Sequence, residues 1–227
     1  MRDVANAKAI GRWIGLAYLL TLVLSTAGDT IMSGMFDGGP ESVAMRRGPQ
    51  FARLASSSSA AVIGAIAWLA TSVLMVRLTQ VVSPLAGRVL LLCVLAGVLI
   101  DLYAQSQLVL LMMTGAGGGA IDWLGTNAQH YQRAAMTSQG VYGLWLIPFG
   151  WLIARTHIAP RTIGIALIAG GLGYLLLFAT LIVHGLPERG SFQILRLACG
   201  IAAITGELGS CLWLLVFGAR EPKASFA

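Results

Sequence analysis

Residues 89–113 read VLLLCVLAGVLIDLYAQSQLVLLMM. Apolar runs flank one short polar island, from Asp101 to Gln107. A helix needs roughly 20 mostly apolar residues to cross a bilayer, and this stretch is long enough. It lacks the in–out alternation of a barrel strand. Backbone groups in hydrocarbon must be paired within the segment, so it reads as a transmembrane helix. Working outward, five further stretches carry the same signature: 13–35, 57–76, 138–154, 162–184 and 195–217. The expected fold class is therefore all-α, one polytopic membrane bundle of six transmembrane helices within residues 1–227.

Composition agrees with that reading. Of 227 residues, 57% are hydrophobic and 11% charged, with a mean hydropathy of +0.79. Soluble domains carry roughly 25% charged residues. Too few charges remain to wet a globule of this size, which excludes a soluble single-domain enzyme, a disordered chain and a disulfide-stapled module. Cys93, Cys199 and Cys211 all lie in apolar runs, without a CxxC or a histidine at ligand spacing, and read as small packing residues.

The placement of Lys and Arg orients the bundle. With the N-terminus inside, nine of the 15 basic residues fall on the inner side and six on the outer. Both termini are thus expected in the cytoplasm, with the chain in a bacterial inner membrane. The net charge of +6 belongs to inner-leaflet anchoring; no Lys/Arg run exceeds two residues, so nucleic acid is not an expected partner. Residues 1–27 imitate a signal peptide, with Arg2, Lys8 and Arg12 ahead of an apolar stretch and Ser25-Thr26-Ala27 behind it. That stretch is long and its far boundary gradual, which favours a retained helix. Inner turns are short, at Pro84 and Pro160, whereas the outer connections, 36–56 and 114–137, are longer and suit a loop-built site.

Chemistry in so apolar a chain rests on three acids in or at the edge of spans: Asp29, Asp101 and Glu207. An ionised carboxylate at mid-bilayer costs on the order of 2.5–3.5 kcal/mol, so such residues face the bundle interior or take a partner. At about 1.5 Å per residue, Asp29 lies ~25 Å up the first helix from Arg12 and Asp101 ~20 Å up the third from Arg88. Glu207 lies ~16 Å down the sixth from Arg196. All three depths fall in the middle or outer half of a ~30 Å core, so the acids are expected to meet in one hollow open to the outer face. Gln105 shares a helix face with Asp101 at i+4, and Tyr103 extends the polarity. On the sixth helix Ala203, Glu207 and Cys211 share a face beside a ladder of small residues, Ala202, Gly206 and Ser210, suited to close helix approach. His130 is placed in the outer connection beside Tyr131. Two carboxylates and a histidine around an apolar pocket make a proton-handling site, with Asp101, Glu207 and Asp29 as its acid–base groups. Blander readings stand beside these. Asp29 reads also as a wetted helix end, Glu207 as the structural partner of an arginine or hydroxyl, Asp101 as a structural polar residue, and His130 and His184 as solvated side chains.

Other patterns carry no chemistry. No two histidines stand at ligand spacing, so neither a metal nor another cofactor is expected. Residues 115–120, GAGGGA, match a dinucleotide fingerprint on paper but follow a membrane helix with no βαβ unit around it. The run Ser56–Ser59 reads as a polar helix start, and Pro148 as a residue able to break the fourth helix.

GWLIARTHIAPRTIGIALIAGGLGYLL, residues 150–176, resembles a segment of a bacterial membrane family known as domain of unknown function 4386. That segment runs as an apolar helix, a basic turn ending in Pro-Arg, then a Gly-rich helix ending in GYL. GELGSCLWLLVFG, residues 206–218, resembles the family's closing helix, and GRWIGLAYLLTLVLS, residues 11–25, its opening one. The resemblance covers most of the chain and is most specific in the last third. It implies a six-helix integral membrane protein and no activity. It also implies turn-forming roles for Arg155, Pro160, Arg161 and Gly164, and makes Glu207 the family-like acid. In kind, the chain is further similar to small integral-membrane terpene cyclases, which protonate an alkene or epoxide with isolated acids. Trp68, Tyr103, Tyr142, Trp145, Trp151, Tyr174 and Trp213 would then supply rings to a carbocation. Aromatic belts at the membrane edge explain the same residues.

The expected function is binding or transforming an apolar lipid or isoprenoid-like molecule in the bilayer by acid–base chemistry, such as proton-initiated cyclisation or isomerisation. Gln105, Tyr103, His130, Tyr142, Trp145 and Tyr174 are the expected substrate-binding residues. The competing class is a transporter or an accessory subunit, whose protein partner the sequence does not name. A transporter usually shows internal repeats, and none relates residues 1–113 to 114–227.

Overall fold

Hydropathy marks where a helix crosses lipid, whereas capping residues and prolines mark where it starts and stops. The computed structural model describes the backbone of residues 2–36, 49–80, 82–115, 121–184 and 191–221. Side chains are described mainly within 6–28, 55–110, 137–180 and 197–221. The elements are α1 Arg2–Phe36, α2 Pro49–Thr79, α3 Pro84–Gly115, α4 Ile121–Thr156, α5 Arg161–His184 and α6 Ser191–Phe217. No strand occurs among the described residues. Pro49 and Pro84 open their helices at the position where a missing N–H costs nothing. Gly218 closes α6: its φ of 73° and its N–H to Leu214 O, 3.0 Å, make a left-handed cap. His157 closes α4 in the same way, at φ 56° with its N–H 3.1 Å from Ile153 O, in a conformation that glycine adopts at less cost.

The helices outrun the apolar spans. Residues 138–154 lie in a helix that already begins at Ile121, so Asp122, Trp123, Asn127, His130 and Tyr131 are helical, not part of an outer loop. Leu124, Ala128, Gln129, Gln132, Arg133, Ala134 and Met136 form helix well without being uniformly apolar, so hydropathy misses them. The other outer connection keeps 37–48 outside the described residues, and α2 claims the rest from Pro49. The glycine fingerprint at 115–120 also falls largely outside them, at 116–120. Pro148 does not break α4, which runs through it. A proline inside a helix costs ~3 kcal/mol. Here Trp145, Leu146, Phe149, Leu152 and Ile153 around it are all 0% exposed. Close van der Waals packing of these side chains against neighbouring helices supports the helix across the missing bond.

Among the described residues, five helical segments are long and apolar enough to cross a membrane: Asn6–Gly28, Ala55–Thr79, Pro84–Gln107, Arg161–Thr180 and Leu197–Phe217. Their outward faces are bare hydrocarbon, with Leu92 and Leu99 each 67% exposed and Leu197 65%. Such patches are a liability in water and cost nothing in lipid. The chain is a multi-pass membrane protein. The part of α4 from 138 to 154 is not among the five. It mixes Ser138, Gln139, Tyr142, Pro148 and two tryptophans with its aliphatic residues, and it turns Trp145 and Phe149 inward while Trp151 is 40% exposed.

The chain divides into two units. The first comprises Met1–Leu19, Trp68–Gly97 and Gln139–Ala227. Small residues hold it together by letting backbones touch. A Cβ at Gly15 of α1 would fall 2.6 Å from Leu215 N of α6. Gly150 of α4 and Gly164 of α5 each lie against the other's carbonyl oxygen, at 2.5 Å from a Cβ built on either. Gly143 and Gly171 repeat that reciprocity one step along, at 2.9 and 2.7 Å. Gly170 meets Ala203 and Gly173 meets Cys199, so the glycine run of α5 is a packing surface for α6. Beyond the cap, Arg220 N–H reaches Ile158 O at 3.0 Å, and its guanidinium lies 5.1 Å from the Trp213 ring centroid. The second unit comprises Leu20–Ala67 and Val98–Ser138. There hydroxyls tie helices to carbonyls: Thr21 Oγ1 donates to Gly64 O at 3.4 Å and Ser57 Oγ to Gly28 O at 3.1 Å. In the same unit Ser138 Oγ of α4 donates to Asp101 Oδ1 of α3.

Candidate functional site

The inward face of α6 carries Ala203, Glu207, Ser210, Cys211 and Leu214, all buried and spaced at helical intervals. Gly206 beside them rests on the backbone of Ala166 and Leu167, so α5 comes close enough to shut water out. Across from this face α4 presents Tyr142 and α1 presents Tyr18. Tyr142 Oη lies 3.1 Å from Glu207 Oε2 and 3.3 Å from Tyr18 Oη. A phenol has one proton to donate. When Tyr142 donates to the carboxylate, Tyr18 donates to Tyr142. When Glu207 carries a proton, it donates to Tyr142, which donates to Tyr18. Either direction keeps Tyr142 satisfied, so the three groups form a reversible hydroxyl–carboxyl chain. Glu207 is 4% exposed, and its second oxygen, Oε1, has no hydrogen-bond partner among the described residues.

Aromatic rings wall this chain. Trp145 stacks on Tyr142 at 5.5 Å between centroids and on Phe149 at 4.7 Å, and meets Tyr18 edge-on at 5.3 Å. Tyr174 meets Tyr142 edge-on at 5.8 Å. Trp68 tilts over Tyr142 at 5.2 Å and lies flat against Gly97, where a Cβ would collide with its ring. Trp145 Nε1 donates to Ser72 Oγ at 2.8 Å, and Ser72 Oγ in turn donates to Trp68 O at 3.2 Å. Ser72 thereby fixes the indole on which Tyr142 stacks. Trp68 Nε1, in a residue 3% exposed, has no partner among the described residues.

Of the residues singled out in the sequence, Glu207, Tyr142, Trp145 and Tyr174 come together in this cluster, with Trp68. Asp101 belongs to the other unit, part-buried, with Ser138 as a partner. Gln105 sits one turn on from it, its Oε1 buried and without a hydrogen-bond partner among the described residues. Tyr103 is half-exposed, on a different side of α3. The side chains of Asp29 and His130 lie outside the described residues, as does that of His184. Two of the three acids are described, each with a hydroxyl partner inside its own unit: Asp101 with Ser138, and Glu207 with Tyr142. Tyr18, Phe149 and Ser72 were not singled out. A phenol inside an apolar span requires a partner, and that requirement is the signal that marks Tyr18. Among the described residues no three His, Cys, Asp or Glu side chains gather as metal ligands.

The family model described as Domain of unknown function (DUF4386) matches residues 13–218. The chain belongs to the DUF4386 family. The match takes in every residue of the cluster, from Tyr18 to Cys211, together with the turn at Pro160, whose carbonyl accepts from Ile163 N–H at 3.0 Å. No curated protein and no solved structure matches the chain. The likeness to terpene cyclases therefore gains nothing from these comparisons, and the DUF4386 assignment carries no activity with it.

Proposed function

We propose that this DUF4386 protein handles a proton at Glu207 for an apolar, lipid- or isoprenoid-like molecule held within the membrane. Tyr142, backed by Tyr18, stands behind the carboxyl as its hydrogen-bonding partner. Trp68, Trp145 and Tyr174 supply the apolar wall and ring faces that would stabilise positive charge developing on a protonated alkene. One observation carries the reading: a carboxyl 4% exposed, with one oxygen on a phenol chain and the other unbonded. In an isomerisation the acid gives its proton to one carbon and takes one back from another, so it is restored without an outside proton, and Tyr142 donates to the carboxylate in between. Asp101, with Asp29, is kept in this proposal as a second acid set, with Gln105, Tyr103 and His130 as its candidate binding residues. The chain crosses a bacterial inner membrane six times, with both termini in the cytoplasm. A transporter would use the same carboxyl differently; transporters usually carry broken helices, and the unbroken course of α4 through Pro148 supports the acid–base reading over that one.

Deuterium tests the chemistry. Membranes containing the protein are incubated in heavy water with an extract of the host's apolar lipids. The expected outcome is a lipid that gains carbon-bound deuterium with the intact chain and does not with Glu207→Gln. Identical labelling with both would overturn the reading.

A further inference from the structure

Two buried polar atoms of the cluster are without partners among the described residues: the acceptor Glu207 Oε1 and the donor Trp68 Nε1. Both side chains adjoin Tyr142, one by the 3.1 Å hydrogen bond and one by the 5.2 Å ring contact. Trp68 cannot easily swing away, because its ring is seated on the bare Cα of Gly97. Folded proteins rarely leave buried polar atoms unmatched, and an unmatched acceptor and donor beside one phenol ask for a group that both donates and accepts.

Building on the function proposed above, we propose that the polar end of the bound molecule is an uncharged hydroxyl, an alcohol head on an apolar body. A hydroxyl donates one proton and accepts at two lone pairs. It donates to Glu207 Oε1 and accepts from Trp68 Nε1–H, and the rings of Trp145 and Tyr174 flank the adjoining hydrocarbon. The alternatives each fail at one atom or at both. A phosphate head only accepts, and it would face a carboxylate with no guanidinium among the cluster residues. An ammonium head only donates, which leaves the indole N–H unmatched. A plain hydrocarbon leaves both atoms unmatched. Water has the right donor and acceptor but no apolar body, so it is told apart by what the protein retains.

Four probes decide it on the full-length chain in nanodiscs: farnesol, farnesyl diphosphate, farnesylamine and farnesene, read by native mass spectrometry. Farnesol is expected to bind at least ~10-fold more tightly than the other three, the cost of leaving a buried hydrogen-bonding atom unmatched. Glu207→Leu and Trp68→Phe are each expected to weaken farnesol ~10-fold and to leave farnesene unchanged. Trp68→Phe keeps a ring on Gly97, so it decides the matter alone if Glu207→Leu does not fold. Farnesene binding as tightly as farnesol, or variants that bind farnesol like the parent chain, would overturn the hydroxyl head while leaving the proton-handling site standing. Failure of all four probes to bind the parent chain would remove the apolar ligand itself, and both readings with it.

Discussion

Tyr142 is the residue on which the cluster turns, because its single hydroxyl serves both Glu207 and Tyr18. Tyr142→Phe would leave a buried carboxyl with neither oxygen bonded and a buried phenol with no partner. Each such orphan costs about 1–3 kcal/mol. A clear drop in the thermal midpoint of the detergent-solubilised protein is the expected result. Replacing all three groups at once, with Tyr18→Phe, Tyr142→Phe and Glu207→Leu, should recover most of that loss, since apolar residues of similar shape leave nothing unmatched. A triple variant no more stable than Tyr142→Phe would mean the chain contributes by packing alone. The sequence made part of this legible. Glu207 was visible as an acid at lipid depth, and Tyr142, Trp145, Trp68 and Tyr174 were visible as aromatic residues inside spans. Tyr18 and Ser72 were not, because a lone hydroxyl in an apolar helix looks the same whether it meets a carboxyl, a carbonyl or lipid. What distinguishes them is the rotation of each helix about its axis, which is set by packing against neighbours and not by local sequence.

At the scale of helices, that rotation is fixed by glycines. Gly164 and Gly150 bring α4 and α5 into backbone contact, and a Cβ at Gly164 would also fall 2.8 Å from Ala154 N. Backbone cannot step aside as a side chain can, so Gly164→Ala must push the helices apart. Overpacking of this kind costs roughly 1–3 kcal/mol. Gly200 on α6 faces open space, with nothing within 4 Å of where a methyl group would stand, so Gly200→Ala removes only the glycine's conformational freedom. That change is worth up to ~1 kcal/mol in favour of the helix. Unfolding both variants with SDS should therefore move them in opposite directions from the parent chain, and equal shifts would refute the contact assigned to Gly164. Gly170, Gly171 and Gly173 stand together inside an apolar span, and small residues there read as surfaces for close helix approach, so their packing role is legible from sequence. The extent of α4 was not. Residues 121–137 are helical without being lipophilic, and a reading built on lipophilicity stops where the apolar residues stop.

For the whole molecule, the course of α4 becomes a matter of parity. Five segments qualify as spans by length and composition, and the part of α4 from 138 to 154 does not. Its composition follows from its position within its unit. Trp145, Phe149 and Ile153 are 0% exposed, so α4 has less lipid-facing surface to make apolar than α3, whose Leu92 and Leu99 face outward. Composition is a poor guide for a helix shielded by its neighbours, because only its exposed stripe meets lipid. If α4 crosses, the chain makes an even number of passages and its ends share a side; if it does not, they lie on opposite sides. Basic residues at Lys8, Arg12, Arg77, Arg88, Arg155, Arg161 and Arg220 all flank helix ends that share one side only in the even case. Alkaline phosphatase fused after Glu221 should then be inactive and a green fluorescent protein fused there bright. In intact cells, a membrane-impermeant thiol reagent should fail to label Arg161→Cys, at the exposed start of α5. An active phosphatase at the C-terminus, with the N-terminus shown cytoplasmic by the same fusions, would mean an odd number of passages and would remove α4 from the membrane.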